Sequence, residues 1–264
     1  MFTCNVNGSV CVLLVVMGPD VEKLEQSEDF RSQPSLFSSA GSSRCDPQNQ
    51  AGVKTLVAVT EEVEEFPRVL HLQERYPDLV APCLGLHPLQ AAGGQHSVRP
   101  QIGLDFTPWC APTQQDRDDQ MKVFIGQLDI AMEMDLPVNV HSRSAAKVTI
   151  DTMRRRGISR ALLHNFSGKP AAALEAVEAG FFFSFPPAVC RNQQRDRLIQ
   201  RIPLDHICLE TDSPALGLHK NERNEPANIA LSCSYIAKVK GQTPETVRDV
   251  TTQNAYRLFS RASR

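Results

Sequence analysis

The sequence predicts an α/β fold, and within that class a TIM (β/α)8 barrel, on three observations. From about Gly52 onward, short β-rich apolar runs alternate with amphipathic helical stretches, the pattern of a parallel sheet with crossover helices. Three of these runs close on a metal-type ligand: Leu-Pro-Val-Asn-Val-His141, Ala-Leu-Leu-His164 and Ile-Cys-Leu-Glu-Thr-Asp212. A parallel barrel brings the C-terminal ends of all its strands to one mouth, so ligands at successive strand ends converge there. The third observation is size: 264 residues, 41% of them hydrophobic, suit a barrel of about 250 residues.

The elements follow in order. Val10–Met17 is an apolar run of strand length, and Ser32–Asn49 is a linker rich in Ser, Gln and Pro. Residues 53–59 read as a strand, 61–76 as a helix, and 79–86 as a strand ending in Gly85-Leu86-His87-Pro88. The stretch Pro88–Pro100 carries no helical period where a parallel crossover normally has a helix. A short strand is expected over 101–106 and a long helix over 115–134, with apolar positions at 121, 124, 125, 128, 131 and 132. Strand 137–141, helix 144–156, strand 161–164 and helix 170–179 come next, the last opened by Pro170. They are followed by strand 181–185, helix 190–201, strand 206–211, and helices 227–239 and 244–259. Thr243 and Pro244 supply the cap and first-turn proline of the last helix. Seven strands follow Val53, so the eighth must come from Val10–Met17. The barrel is therefore expected to be irregular at strand 1 and at the crossover between strands 3 and 4. Residues 1–51 form a divergent N-terminal segment, and 52–264 the barrel domain.

Composition narrows the partners. A net charge of -2 and a pI near 6.4 leave no global basic footprint for nucleic acid, so any such binding must be local. The apolar run at 10–17 is too short to span a membrane and lacks a basic stretch ahead of it. Eight cysteines without a Cys-x-x-Cys pair read as reduced thiols acting as small core residues. An intracellular protein of the cytoplasm or nucleus, without membrane association, is expected. Phe181, Phe182, Phe183 and Phe185 read as barrel packing rather than a stacking surface, and Trp109, just past strand 4, is a candidate to line the mouth.

Two imidazoles and a carboxylate make a plausible site for a divalent ion. The chain also resembles the TatD family of metal-dependent deoxyribonucleases over about residues 52–260. The residues that carry the resemblance are Gly-Leu-His87-Pro88, Ile-Gly-Leu-Asp105, Val-His141-Ser-Arg143, Leu-His164-Asn-Phe-Ser-Gly168, Leu-Glu-Thr-Asp212-Ser-Pro214, Arg223-Asn-Glu-Pro226 and Thr252-Gln-Asn254-Ala. The resemblance implies a barrel of the amidohydrolase type, divalent metal (zinc, magnesium or manganese) and hydrolysis of DNA phosphodiesters. It implies His141, His164 and Asp212 as metal ligands, with Asp212 also the catalytic residue that helps activate water. His87 and Arg143 are implied as substrate-binding mouth residues.

Two parts of the family pattern are missing. The family's first strand ends in His-x-His, whereas residues 1–70 contain no His. The family's strand 4 carries a metal-bridging Glu where this chain has Gln101. A neutral amide cannot bridge two dications as a carboxylate does. The first metal site is therefore expected to be lost and the second to hold one ion or none, giving an impaired deoxyribonuclease. The alternatives are a catalytically inactive barrel and an amidohydrolase acting on a small ester or amide. Arg143, Lys169 and Arg223 favour a phosphate substrate over a neutral one.

Overall fold

A computed structural model describes residues 11–17, 53–60, 65–85 and 102–260, with backbone only for the first of these. Eight strands form one sheet: β1 Cys11–Met17, β2 Val53–Val59, β3 Val80–Cys83, β4 Ile102–Asp105, β5 Val138–Arg143, β6 Ala161–Leu163, β7 Phe182–Phe185 and β8 Ile207–Ser213. The order is β3-β2-β1-β8-β7-β6-β5-β4, which is the cyclic order of an eight-stranded barrel opened between β3 and β4. Among the described residues no ladder joins those two strands. The crossover at 88–100, expected to be irregular, lies outside the described residues, as do His87 and Gln101.

Strands β4 to β8 are parallel to one another, and β2 is parallel to β3. The exception is β1. It fills the slot between β2 and β8, as the strand count requires, but runs antiparallel to both, pairing Cys11 with Val59 and Val12 with Ser213. The irregularity expected at strand 1 thus takes the form of a reversed strand in the expected slot. An antiparallel neighbour needs no crossover helix. The C-terminal end of β1 therefore points away from the mouth to which the other strands deliver their last residues.

Helices α1 Phe66–Arg75, α2 Gln114–Glu133, α3 Ala146–Arg155, α4 Pro170–Glu178, α5 Asp196–Arg201, α6 Ile229–Lys240 and α7 Pro244–Leu258 link or flank the strands. Their ends follow local chemistry. Thr113 and Asp116 form a reciprocal capping box on α2, Pro170 opens α4, and Thr243 caps α7 ahead of Pro244. The expected helix at 190–201 is shorter, because 3-10 turns at Pro187–Arg191 and Gln193–Arg195 occupy its first half. On α2 the buried positions are Gln120, Phe124, Leu128 and Ala131, while Met132 is half exposed. The buried stripe thus includes a polar residue that hydrophobicity alone misses.

The core behaves as the apolar pattern predicts. Phe181, Phe183 and Phe185 are wholly buried and Phe182 nearly so, and Phe183 meets Phe166 edge to face at 5.0 Å. Cys83, Cys110, Cys190, Cys208 and Cys233 are free thiols, with Cys208 and Cys233 buried in the core. No described helix is long and apolar enough to cross a membrane.

Candidate metal centre

The strand ends at the C-terminal mouth carry a buried chain of four titratable side chains. In the middle, His141 Nδ1 of β5 lies 3.2 Å from His164 Nε2, just past β6. On one flank His141 Nε2 lies 3.1 Å from Asp105 Oδ2 at the end of β4. On the other, His164 Nδ1 lies 4.0 Å from Glu210 Oε2 of β8. Asp105 and Glu210 are fully buried, and both imidazoles nearly so.

The backbone explains how these groups reach each other. Gly103 stands opposite His141 in the β4–β5 ladder. Its φ is +143°, and a Cβ there would fall 2.1 Å from the His141 carbonyl oxygen. Only glycine lets β4 lie this close to the strand that carries His141. Gln120 of α2 then clamps the strand end: its Oε1 accepts from the Asp105 amide at 2.9 Å, and its Nε2 donates to the Asp105 carbonyl at 3.1 Å. Ser144, Asn165 and Asp212 all have left-handed backbone, with φ of 55°, 43° and 57°. Ser144 directly follows β5, Asn165 directly follows His164, and Asp212 is itself a predicted ligand near the end of β8; such backbone positions gather at functional sites. The turn after Asp212 is tied down by Asn224, whose Nδ2 donates to the Thr211 and Ala215 carbonyls at 2.6 and 2.7 Å. Asn254 likewise donates to the Leu204 and Ile207 carbonyls below β8. Two of the quoted sequence motifs, Arg223–Pro226 and Thr252–Ala255, therefore serve to hold β8 in place.

Electrostatics sort the four groups. Burial pushes the Asp105 carboxyl up, but hydrogen bonds from His141 and Thr107, with the adjacent imidazole charge, outweigh it and leave it below its ordinary value. An ionised Asp105 can only accept, so His141 donates from Nε2 and turns Nδ1 toward His164. Burial, then the neighbouring His141, holds His164 well below the usual histidine range, so it is neutral. Burial, then the charge of Asp212, lifts Glu210 well above the usual carboxylate range. Glu210 still accepts from the Asn165 amide at 2.8 Å and the Ser184 hydroxyl at 2.7 Å.

This arrangement fits a metal ion at the histidine pair. His141 Nδ1 and His164 Nε2 are in hydrogen-bond contact at 3.2 Å, and neutral imidazole nitrogens are ordinary ligands for a divalent ion, so these two could hold one between them. Each ring also has a buried carboxylate at its outer nitrogen, the support that metal-binding histidines require. The outer Nδ1 of His164 is buried without a hydrogen-bond partner, a gap that a small approach to Glu210 would close. Among the described residues, no group of three or more His, Cys, Asp or Glu is arranged to hold an ion. The structure thus brings His141 and His164 together. Asp212 stands at the same mouth, near enough for its charge to act on Glu210.

Arginines flank the pair. Arg143 Nη1 is 4.0 Å from Asp105 Oδ2. Arg195, in the turn after β7, donates from Nη1 to Asn165 Oδ1 at 2.7 Å, and burial lowers its guanidinium below its ordinary value. Sequence reasoning missed Asp105, Glu210 and Arg195 as site residues. The first two lie inside the motifs that carried the resemblance, and that was the available signal; Arg195 offers none.

An eight-stranded sheet in barrel order, whose parallel strands deliver a carboxylate-backed histidine pair to the C-terminal mouth, is the architecture of an amidohydrolase-type α/β protein. A family model described as TatD related DNase matches residues 34–260, and the chain belongs to that family. It is 59% identical over 234 residues to the tatdn3 protein of Danio rerio, named as a deoxyribonuclease, covering 80% of this chain and 88% of that protein. It is 28% identical over 228 residues to YabD of Bacillus subtilis, named as a metal-dependent hydrolase, covering 78% and 88%. Among solved structures, the TatD homologue YJJV of Escherichia coli superposes with a TM-score of 0.68 at 25% identity, over 80% of this chain and 88% of that one.

Proposed function

We propose that this chain hydrolyses phosphodiester bonds in DNA at a site built around one divalent ion held by His141, His164 and Asp212. The observation that carries this reading is the buried chain Asp105–His141–His164–Glu210, which brings two imidazoles together at the mouth with a carboxylate behind each. When bound, the ion supplies Lewis acidity toward a phosphate oxygen and lowers the pKa of water. Asp105 keeps His141 in the tautomer that frees Nδ1, and Glu210 does the corresponding work for His164. Asp212, on its strained turn, is the general base for the attacking water. Arg143 and Arg195, near Asp105 and Asn165 respectively, are the guanidinium groups that would take the phosphate oxygens. The family resemblance adds His87 as a further candidate for substrate binding.

A reading as a binding barrel without turnover has one observation in its favour. The slot from which the family draws its His-x-His pair is filled here by an antiparallel strand, in a chain with no His before residue 71. Metal content and cleavage of a labelled oligonucleotide with magnesium, manganese or zinc separate the two. One ion per chain and cleavage lost in His141→Ala and His164→Ala support the nuclease. No cleavage by the parent chain or by Gln101→Glu, with metal bound, supports the binding barrel, and two ions per chain would overturn the one-ion site.

A further inference from the structure

Trp109 lies four residues past the end of β4, at the mouth, and is 69% exposed. Exposure alone says little, since single apolar side chains are common on surfaces; what singles out Trp109 is the cation beside it and the site that cation adjoins. The guanidinium of Arg143 lies 4.9 Å from its ring centroid, a cation–π contact that fixes one face of the indole and leaves the rest to solvent. Arg143 in turn lies 4.0 Å from the same Asp105 oxygen that accepts from His141. An aromatic face, a half-exposed cation and the histidine pair are thus linked through consecutive contacts. A cation beside an open aromatic ring is the combination that holds single-stranded nucleic acid: the cation takes the phosphate and the ring takes a base.

We infer that Trp109 is the stacking platform for a DNA base next to the phosphate that the metal centre takes, and that Arg143 couples the two positions. This rests on the nuclease reading and adds to it a preference for unpaired bases, because a base must leave its helix to stack on the indole. Specificity among bases is weak, since every base offers a π face.

Trp109 is the single tryptophan of the chain, so its emission reports on this ring alone. The experiment titrates the chelator-treated protein with a short oligothymidylate and, in parallel, with inorganic polyphosphate, which has the charge but no base. Binding of a labelled oligonucleotide is followed separately by anisotropy. The expected result is quenching of Trp109 by oligothymidylate but not by polyphosphate. Trp109→Ala should weaken oligonucleotide binding about 5- to 150-fold, raising KM with little change in kcat, and Trp109→Phe should restore most of it. Anisotropy that rises while the emission stays constant, or a Trp109→Ala protein that binds as the parent does, overturns the platform and leaves the nuclease reading standing. An oligonucleotide that does not bind at all overturns both.

Discussion

Asp105 shows how much a single buried carboxylate can do at the residue scale. It accepts from His141 Nε2 with one oxygen and from the Thr107 amide with the other, so the orientation of the His141 ring depends on it. Asp105→Asn keeps the shape but can no longer act only as an acceptor, and His141 loses its fixed tautomer. Apparent zinc affinity, measured against a chromophoric chelator, is expected to fall about 10–100-fold while the far-ultraviolet spectrum stays unchanged. An unchanged affinity would remove Asp105 from the site. Gly103 makes a different point. A Cβ 2.1 Å from the His141 carbonyl cannot be absorbed by a side-chain rotation, because the obstacle is backbone. Gly103→Ala is expected to lower the melting temperature and to displace His141, and restored stability with lost metal binding would show that the strand had moved aside.

At the scale of elements, α2 and β4 act as a pair. Gln120 is buried in an otherwise apolar stripe and makes both of its hydrogen bonds to the backbone of Asp105. Gln120→Ala strands a buried amide and a buried carbonyl, which costs about 1–3 kcal/mol for each group left unsatisfied. Urea denaturation should show a lower midpoint with an unchanged slope. The hydrophobic period placed this helix within one residue at each end, yet could not find Gln120, because polar positions inside an apolar stripe carry no periodic signal. The reverse holds for β1. Its apolar run marks a strand, but direction is not encoded in a run of seven residues. The neighbours decide it, through ladders to Leu56 and Glu210.

For the molecule as a whole, the sheet keeps the strand order of a barrel and places the histidine pair at its C-terminal mouth. A ligand that binds only the folded chain stabilises it by mass action, by about 2.7 kcal/mol at a hundredfold excess over Kd. For a domain of this size that corresponds to a rise in Tm of about 5–10 °C. Zinc added to the chelator-treated protein is expected to give such a rise, and His141→Ala and His164→Ala are expected to abolish it. Equal rises in parent and variants would place the metal elsewhere.

The sequence by itself determined the fold class, the order of the elements, the phenylalanine core and His141, His164 and Asp212 as strand-end residues. Periodicity and strand-end chemistry are local signals that survive without coordinates. It also showed what is missing, since the absence of His before residue 71 and the Gln at 101 are facts of composition. Only the tertiary structure decided that β1 runs antiparallel, that Asp105 and Glu210 back the two imidazoles, and that Arg143 stands between Trp109 and Asp105. Each of these depends on distances between residues far apart in the chain, 36 positions for Asp105 and His141 and 45 for Asn165 and Glu210. Such distances are set by the register of neighbouring strands, which no single strand specifies alone.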